Sequence, residues 1–420
     1  MHVFPPLRFL LIGLLGFFSG LPLALTASTL TAWLADAQVT RAGIGLFAAI
    51  ATPYAFKFLW APLLDGLRLP WLTARFGRRR SWLLVIQTLL ALALAAMALT
   101  DPTAHAWMTA LVGIGIATLS ATQDTLIDAY RVERLPKEEQ GSGAAWATFG
   151  YRIGMLVSGA GALYLADHVG WRTTYLLMAA LMGSSVLLTL RMYERAAAAQ
   201  VATSPGVRGL GAIPPFIRAF VVAPFRDFMT RPLWVQVLAF VVLYKLGDAF
   251  MGVMFNPFLL DLGFSKTAIA KVVKLYGLAA TLLGTFAGGW LVARAGMFRA
   301  LLLSGLMHML TNLLLVVQAR LGADVHFLTY SISLENFTGG MSTAAFIAYL
   351  SALCRLNYTA TQYALLSSLA AFGRTWLSTP SGALAEAVGW EVFFAIASLM
   401  ALPGLLLLVW IERRGRRNTS

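Results

Sequence analysis

Apolar runs of roughly 20 residues or more, each long enough to cross a bilayer as a helix, recur along the whole chain. Twelve such segments occupy approximately 9–35, 42–63, 81–100, 107–130, 142–166, 173–192, 233–260, 266–293, 299–319, 326–353, 358–385 and 391–411. They are too long and too continuous for barrel strands, whose lipid-facing residues alternate with lumenal ones. Only 12% of the residues are charged, against about 25% in ordinary soluble domains, so a soluble fold is excluded. The first segment ends near Ala35-Asp36-Ala37, which resembles a signal-peptide cleavage site. Its apolar run is much longer than a signal core of about 7–15 residues, so it reads as a span.

The net charge of +14 follows from topology. Of 32 Lys and Arg, six lie inside apolar segments. Four (Arg41, Arg172, Lys266, Arg320) fall at one set of alternating loops, and the other 22 lie on the opposite side. By the positive-inside rule both termini are cytoplasmic, and no nucleic-acid partner is needed to explain the charge. The single cysteine, Cys354, excludes an intrachain disulfide. Asn357-Tyr358-Thr359 matches a glycosylation sequon but falls at an expected cytoplasmic edge.

An internal repeat divides the chain. Ala166-Asp167-His168-Val169-Gly170-Trp171, between segments five and six, returns 219 residues later as Ala385-Glu386-Ala387-Val388-Gly389-Trp390, between eleven and twelve. Ala129-Tyr130 returns as Ala348-Tyr349 at the same offset, and Phe149-Gly150-Tyr151-Arg152 is echoed by Phe372-Gly373-Arg374. Two six-helix halves, 1–193 and 232–420 with its basic tail, are therefore expected. An even number of helices per half gives parallel repeats, as in the major facilitator architecture. Residues 194–231 form the cytoplasmic linker. It begins Gly- and Pro-rich, and from about Phe216 it becomes amphipathic, which predicts a short helix on the membrane surface; a loop packed on the halves is the alternative.

Ten charges sit at bilayer depth: Asp124, Asp128, Asp248 and Glu335, with Lys57, Arg152, Lys245, Lys271, Lys274 and Arg374. Each costs at least about 2.5–3.5 kcal/mol there unless it faces a partner or a watery cavity. The excess of two cations points to a path for an anionic or highly polar solute. Paired helix staples are the structural alternative for any one of them. In the two-bundle architecture segments one, four, seven and ten line the cavity, by analogy of fold. Segment four carries Asp124 and Asp128 on one face, beside Gln123. Segment seven carries Lys245 and Asp248 at i,i+3, spaced to pair. Segment ten carries Glu335 beside Asn336. Asp124 and Glu335 have no cation within a helical turn and are the better proton carriers, with Asp128 third. Arg152 and Arg374 occupy corresponding positions, and a guanidinium suits a carboxylate or phosphate. Lys271 and Lys274 form a second basic face. Only His308 of the five histidines lies well inside a segment, where a lone His is more often packed or hydrogen-bonded than catalytic.

Asp65 closes segment two and Phe76-Gly77-Arg78-Arg79-Arg80 opens segment three; Gly288 to Gly296 occupies the matching place in the second half, with Ala293 and Arg294. Both loops resemble the cytoplasmic gating loop of major facilitator proteins, in which an acid at the helix end pairs across the halves and favours the outward-open state. The first copy carries an insertion after Asp65, and the second has Ala293 where an acid is expected.

Several stretches resemble the AmpG muropeptide permease family. They are Phe18 to Thr26, Tyr54 to Asp65, Ser120-Ala121-Thr122-Gln123-Asp124-Thr125-Leu126-Ile127-Asp128-Ala129-Tyr130-Arg131, and Gly150 to Met155. The resemblance is closer over the first half than the second. It implies a major facilitator fold and proton-driven import of N-acetylglucosaminyl-1,6-anhydro-N-acetylmuramic acid, with or without stem peptide, from periplasm to cytoplasm. Such import feeds peptidoglycan recycling and, in some bacteria, β-lactamase induction.

The expected solute contacts are Lys57, Gln123, Tyr151, Arg152, Lys245, Asn336 and Arg374, with Tyr151, Tyr244 and Trp33 available to stack on sugar rings. The expected proton carriers are Asp124, Asp128 and Glu335. The expected gate is Asp65, Arg78 and Arg294. A monomer in the bacterial inner membrane, with no cofactor and no metal, completes the reading. The rival transporter reading is a carrier of another organic anion, such as acetyl-CoA. A membrane enzyme is the other class; no nucleophile elbow, metal-ligand pair or paired catalytic His is present to support it.

Overall fold

The computed structural model describes residues 5–39, 47–192, 194 and 217–417. Among them every regular element is a helix. In hydrocarbon no water is available to the backbone, and a helix pairs its own N–H and C=O groups. Large apolar side chains such as Leu92, Leu283 and Leu406 stand exposed on the outside, as they do where the surrounding medium is lipid.

Eight of these helices are long and apolar enough to cross a membrane, or nine if the pair Val325–Ala352 and Leu356–Leu377, bent by 98°, is one span. The sequence reading expects twelve, and the difference has two local causes. First, consecutive spans run on through a helical corner. Lys137–Arg191 is 55 residues long, about 80 Å of helix, and turns at Gly170 (φ 76°, ψ 163°). Ser381–Leu399 turns the same way at Gly389 (φ 73°, ψ 167°). Second, segment two is cut into short turns (Ala48–Ala51, Thr52–Phe56, Lys57–Leu59 and Ala61–Gly66), with prolines at the starts of Thr52–Phe56 and Ala61–Gly66. Its first residues, and Arg41, lie outside the described chain.

The repeat has a physical content beyond the corner glycines. Trp171 Nε1 donates to Asp36 at 2.8 Å, and Trp390 Nε1 donates to Asp261 at 3.2 Å. Each bond ties the end of the first helix of a half to the corner between its fifth and sixth. Behind the bond, Trp171 stacks on Trp33, which packs on Tyr175; Trp390 meets Phe258, which packs on Phe394. Gly77 and Gly296, also 219 residues apart, share a second backbone state (φ 88° and 82°) at the loop before segments three and nine.

By contacts the chain forms two compact units. The first holds Met1–Pro136, Trp146–Phe225 and Cys354–Ser368; the second holds Lys137–Ala145, Arg226–Leu353 and Leu369–Ser420. These differ from the sequence halves by two short pieces. Lys137–Ala145 joins the second unit because Gly141 lies so close to Leu278–Ala295 that a Cβ there would meet Val292 at 2.7 Å. Cys354–Ser368 joins the first because Asp65 binds the turn that starts at Thr359. Of the linker, 195–216 lies outside the described residues. Ile217–Val222 and Ala223–Met229 are helical, with Phe220 and Phe228 buried.

In the first unit the helix Pro5–Thr26 packs on Ala106–Arg134 and meets Gln140–Leu156 at a close crossing. A Cβ at Gly20 would lie 2.1 Å from the Tyr151 carbonyl oxygen, so a small residue sets the helix separation. The second unit is centred on Phe258, Leu259, Phe393 and Phe394, all fully buried.

Candidate functional site

Three polar clusters occupy the helical interior. The first surrounds Asp124 on Ala106–Arg134. Its carboxylate accepts from Ser19 Oγ across to the first helix, and the charge of Lys57 reaches it from the broken second segment. The phenol of Tyr54 is buried nearby, beside the hydroxyls of Ser120 and Thr26. Gln123, beside Asp124, also bonds the first helix. Pro22 has no N–H, which leaves the Phe18 carbonyl without its helical donor, and Gln123 Nε2, fully buried, donates to that carbonyl at 2.8 Å. The expected solute contact is thus a pin that repairs the proline gap and joins the first helix to the fourth.

The second cluster lies where segments two and four end and segment three begins. Asp65 is buried, and its carboxylate accepts from Arg79 at 2.6 Å, from the Thr361 N–H at 2.8 Å and from Thr361 Oγ1 at 2.7 Å. The Ala360 N–H adds a longer bond at 3.3 Å. The carboxylate therefore caps the first turn of Thr359–Leu377, satisfying N–H groups that a helix start leaves open. Arg79 also binds Glu133. Arg78, the arginine expected at the gate, instead donates to the Asp65 backbone carbonyl and to Glu133. Glu194 accepts from the N–H groups of Arg78, Arg79 and Arg80, which neutralises the positive end of the third helix. Asp128 pairs with Arg131 at 3.1 Å, and Arg131 donates to the Tyr363 hydroxyl at 3.2 Å. Arg294 stands apart and exposed, over the Trp290 ring. The missing acid at Ala293 leaves it without a carboxylate in its own loop.

The third cluster belongs to the second unit. Segment seven breaks between Trp234–Leu243 and Leu246–Asp261, and Lys245 at the break bonds Asp248 at 2.9 Å, Ser342 at 3.2 Å and Thr343 at 3.2 Å. The other carboxylate oxygen of Asp248 meets His308 Nε2 at 2.8 Å. Sequence spacing gave the Lys245–Asp248 pair. It did not give the partner of His308, which comes from Met297–Asn312 and was expected to be packed or hydrogen-bonded. Glu335 and Asn336 lie on Val325–Ala352. Asn336 donates to Glu335 at 2.7 Å and accepts from Thr281 at 2.9 Å. Tyr244, expected as a sugar stacker, is buried and donates to the Leu301 carbonyl. Trp33 is engaged in the outer aromatic stack.

Arg152 and Arg374 are exposed, and among the described residues neither makes an ion pair. Tyr151 is half-buried and Lys271 exposed. The Lys274 side chain lies outside what is described.

The sequence model described as Major Facilitator Superfamily matches residues 12–378. The chain is 41% identical over 412 residues to the anhydromuropeptide permease of Escherichia coli K12, covering 97% of this chain and 80% of that one. It is 35% identical to the putative transporter AmpG 4 of Rickettsia felis, covering 98% of each. Among solved structures, the E. coli fucose:proton symporter matches with a TM-score of 0.71 at 13% identity, covering 96% of this chain and 98% of that one. The proton:xylose symporter matches with a TM-score of 0.65 at 15% identity, covering 97% and 94%.

Proposed function

Because the chain belongs to the major facilitator superfamily and, within it, to the AmpG anhydromuropeptide permease family, we propose that it carries 1,6-anhydro-muropeptides across the bacterial inner membrane into the cytoplasm, driven by protons. The observation that carries this reading is 41% identity across 97% of the chain to the E. coli permease. The chemistry of the side chains supports it. A muropeptide presents lactyl or peptide carboxylates, and the exposed guanidinium groups of Arg152 and Arg374 suit them. The proton is assigned to buried carboxylates. Burial disfavours an ionised carboxyl and a nearby cation favours it, so a carboxylate whose surroundings change as access alternates binds and releases a proton. Asp124 and Glu335 are the first candidates, and Asp128 is third because Arg131 holds it. Asp65, with Arg79 and Glu133, is proposed as the gate that must let go of the first turn of Thr359–Leu377 during the cycle. Lys245 acts on the solute through a site it shares with Asp248. The carrier works as a monomer, with both termini cytoplasmic, and catalyses no covalent step.

The test is uptake into proteoliposomes of labelled N-acetylglucosaminyl-1,6-anhydro-N-acetylmuramic acid, with and without an imposed pH gradient. Gradient-dependent accumulation is expected. Transport of acetyl-CoA in its place, or chemical turnover of the sugar in detergent without a membrane barrier, overturns the reading.

A further inference from the structure

We propose that His308 is a proton-binding residue of the transport cycle, operating as one unit with Asp248, Lys245 and Glu335. This rests on reading the chain as a proton-coupled carrier and adds a residue that the carboxylate assignment does not contain.

His308 is 6% exposed, and its imidazole is held at both nitrogens. Nε2 lies 2.8 Å from Asp248 Oδ1. A carboxylate can only accept, so Nε2 carries a hydrogen in either protonation state. Nδ1 lies 3.1 Å from Thr338 Oγ1, and this contact serves both states. A neutral ring accepts the threonine hydroxyl proton at Nδ1. A protonated ring donates from Nδ1 to the same oxygen, while the hydroxyl turns to the Leu334 or Glu335 carbonyl, each 3.0 Å away. The proton therefore adds to Nδ1, one N–H bond forms, and one hydroxyl rotates. No buried polar group loses its partner in either state. A histidine that serves only for packing has no need of a reversible partner of this kind.

The charges around the ring give the protonation a purpose. Lys245 and Asp248 face it from segment seven, and Glu335 from segment ten. The Tyr244 phenol nearby is committed to the Leu301 carbonyl. With both carboxylates ionised, one cation faces two anions, and an unbalanced negative charge remains in the membrane interior. Protonating His308 balances the set. An anionic solute arriving at Lys245 then meets a neutral cluster rather than a negative one. Proton and solute binding thus favour each other, and by linkage each raises the affinity of the other by the same factor.

The seat of the ring is built by a glycine. Glu335 and Gly339 lie one turn apart on the same face of Val325–Ala352, and a Cβ at Gly339 would lie 2.9 Å from the imidazole Cε1. Room for the ring against this helix exists because position 339 has no side chain.

The test separates this residue from the transport reading. In proteoliposomes, His308→Gln keeps an amide donor for Asp248 but cannot take up a proton. Exchange of labelled for unlabelled anhydro-muropeptide without a gradient, measured at saturating solute so that the lower affinity is overcome, should stay within about threefold of the parent, while accumulation driven by a pH gradient falls at least tenfold. Thr338→Val, which removes the reciprocal partner, should change the pH profile of uptake with exchange intact. Gradient-driven accumulation by His308→Gln at the parent level overturns the assignment. If the parent protein itself does not move anhydro-muropeptide, the transport reading fails, and the histidine is judged on the purified protein by nitrogen-15 histidine NMR. A resonance that is lost in His308→Gln should change protonation state at Nδ1 as the pH is varied; a resonance fixed in one state at every pH at which the protein stays folded overturns the proposal.

Discussion

Replacing Asp65 by Asn tests the buried carboxylate that holds the start of Thr359–Leu377. The carboxylate receives Arg79 at 2.6 Å, the Thr361 N–H at 2.8 Å and the Thr361 hydroxyl at 2.7 Å, and it is only 1% exposed. An amide keeps one accepting oxygen but turns an NH2 group toward donors. Removing one partner of a buried pair costs about 3–5 kcal/mol. Arg79 retains Glu133, which puts the loss at the low end, about 3 kcal/mol. At about 1.4 kcal/mol per factor of ten, this raises the released population about 100-fold. The reporter is Ala360→Cys, since Ala360 is fully buried. Cys354 is the only cysteine in the chain, so Cys354→Ser clears the background. Where re-closing is faster than labelling, the maleimide rate follows the released population. Asp65→Asn should therefore label about 100-fold faster than the same background with Asp65 intact. A rate within twofold would show that the capping bonds do not hold this turn, and the reasoning fails.

Arg152→Ala and Arg374→Ala should each weaken muropeptide uptake at least tenfold while moving the melting temperature little, since both side chains are exposed and neither makes an ion pair among the described residues; equal losses of melting temperature and uptake would make them structural. Asp124→Asn and Glu335→Gln should abolish accumulation driven by a pH gradient and spare downhill exchange; if both variants still accumulate against the gradient, protons are carried elsewhere. Trp171→Phe and Trp390→Phe each remove one hydrogen bond to the equivalent aspartate, and each should cost about 1 kcal/mol by thermal or denaturant unfolding. A loss in one half without the other would show that the repeated pair does not do the same work twice.

Much of this architecture follows from local chemistry and was readable in advance. Long apolar runs must become helices in lipid. The Lys245–Asp248 pair follows from i,i+3 spacing, and the Gly-Trp corners recur because the chain repeats itself. The limits of that reading are equally physical. Gln123 adjoins Asp124 in sequence, yet its amide is committed to the carbonyl that a proline in another helix leaves without its helical donor. Arg78 and Arg79 are neighbours with the same charge, and which of them meets Asp65 depends on the turn of the third helix against the second. His308 has no acid near it in its own segment, so its bond to Asp248 exists only where the ninth and seventh segments pack together. Periodicity and hydropathy act over a few residues and determined the spans, the repeat and the charged positions. Hydrogen-bond partners more than 50 residues away, such as Asp65 with Thr361 or His308 with Asp248, were decided by tertiary packing, because a buried polar group takes whichever partner the neighbouring helix brings within about 3 Å.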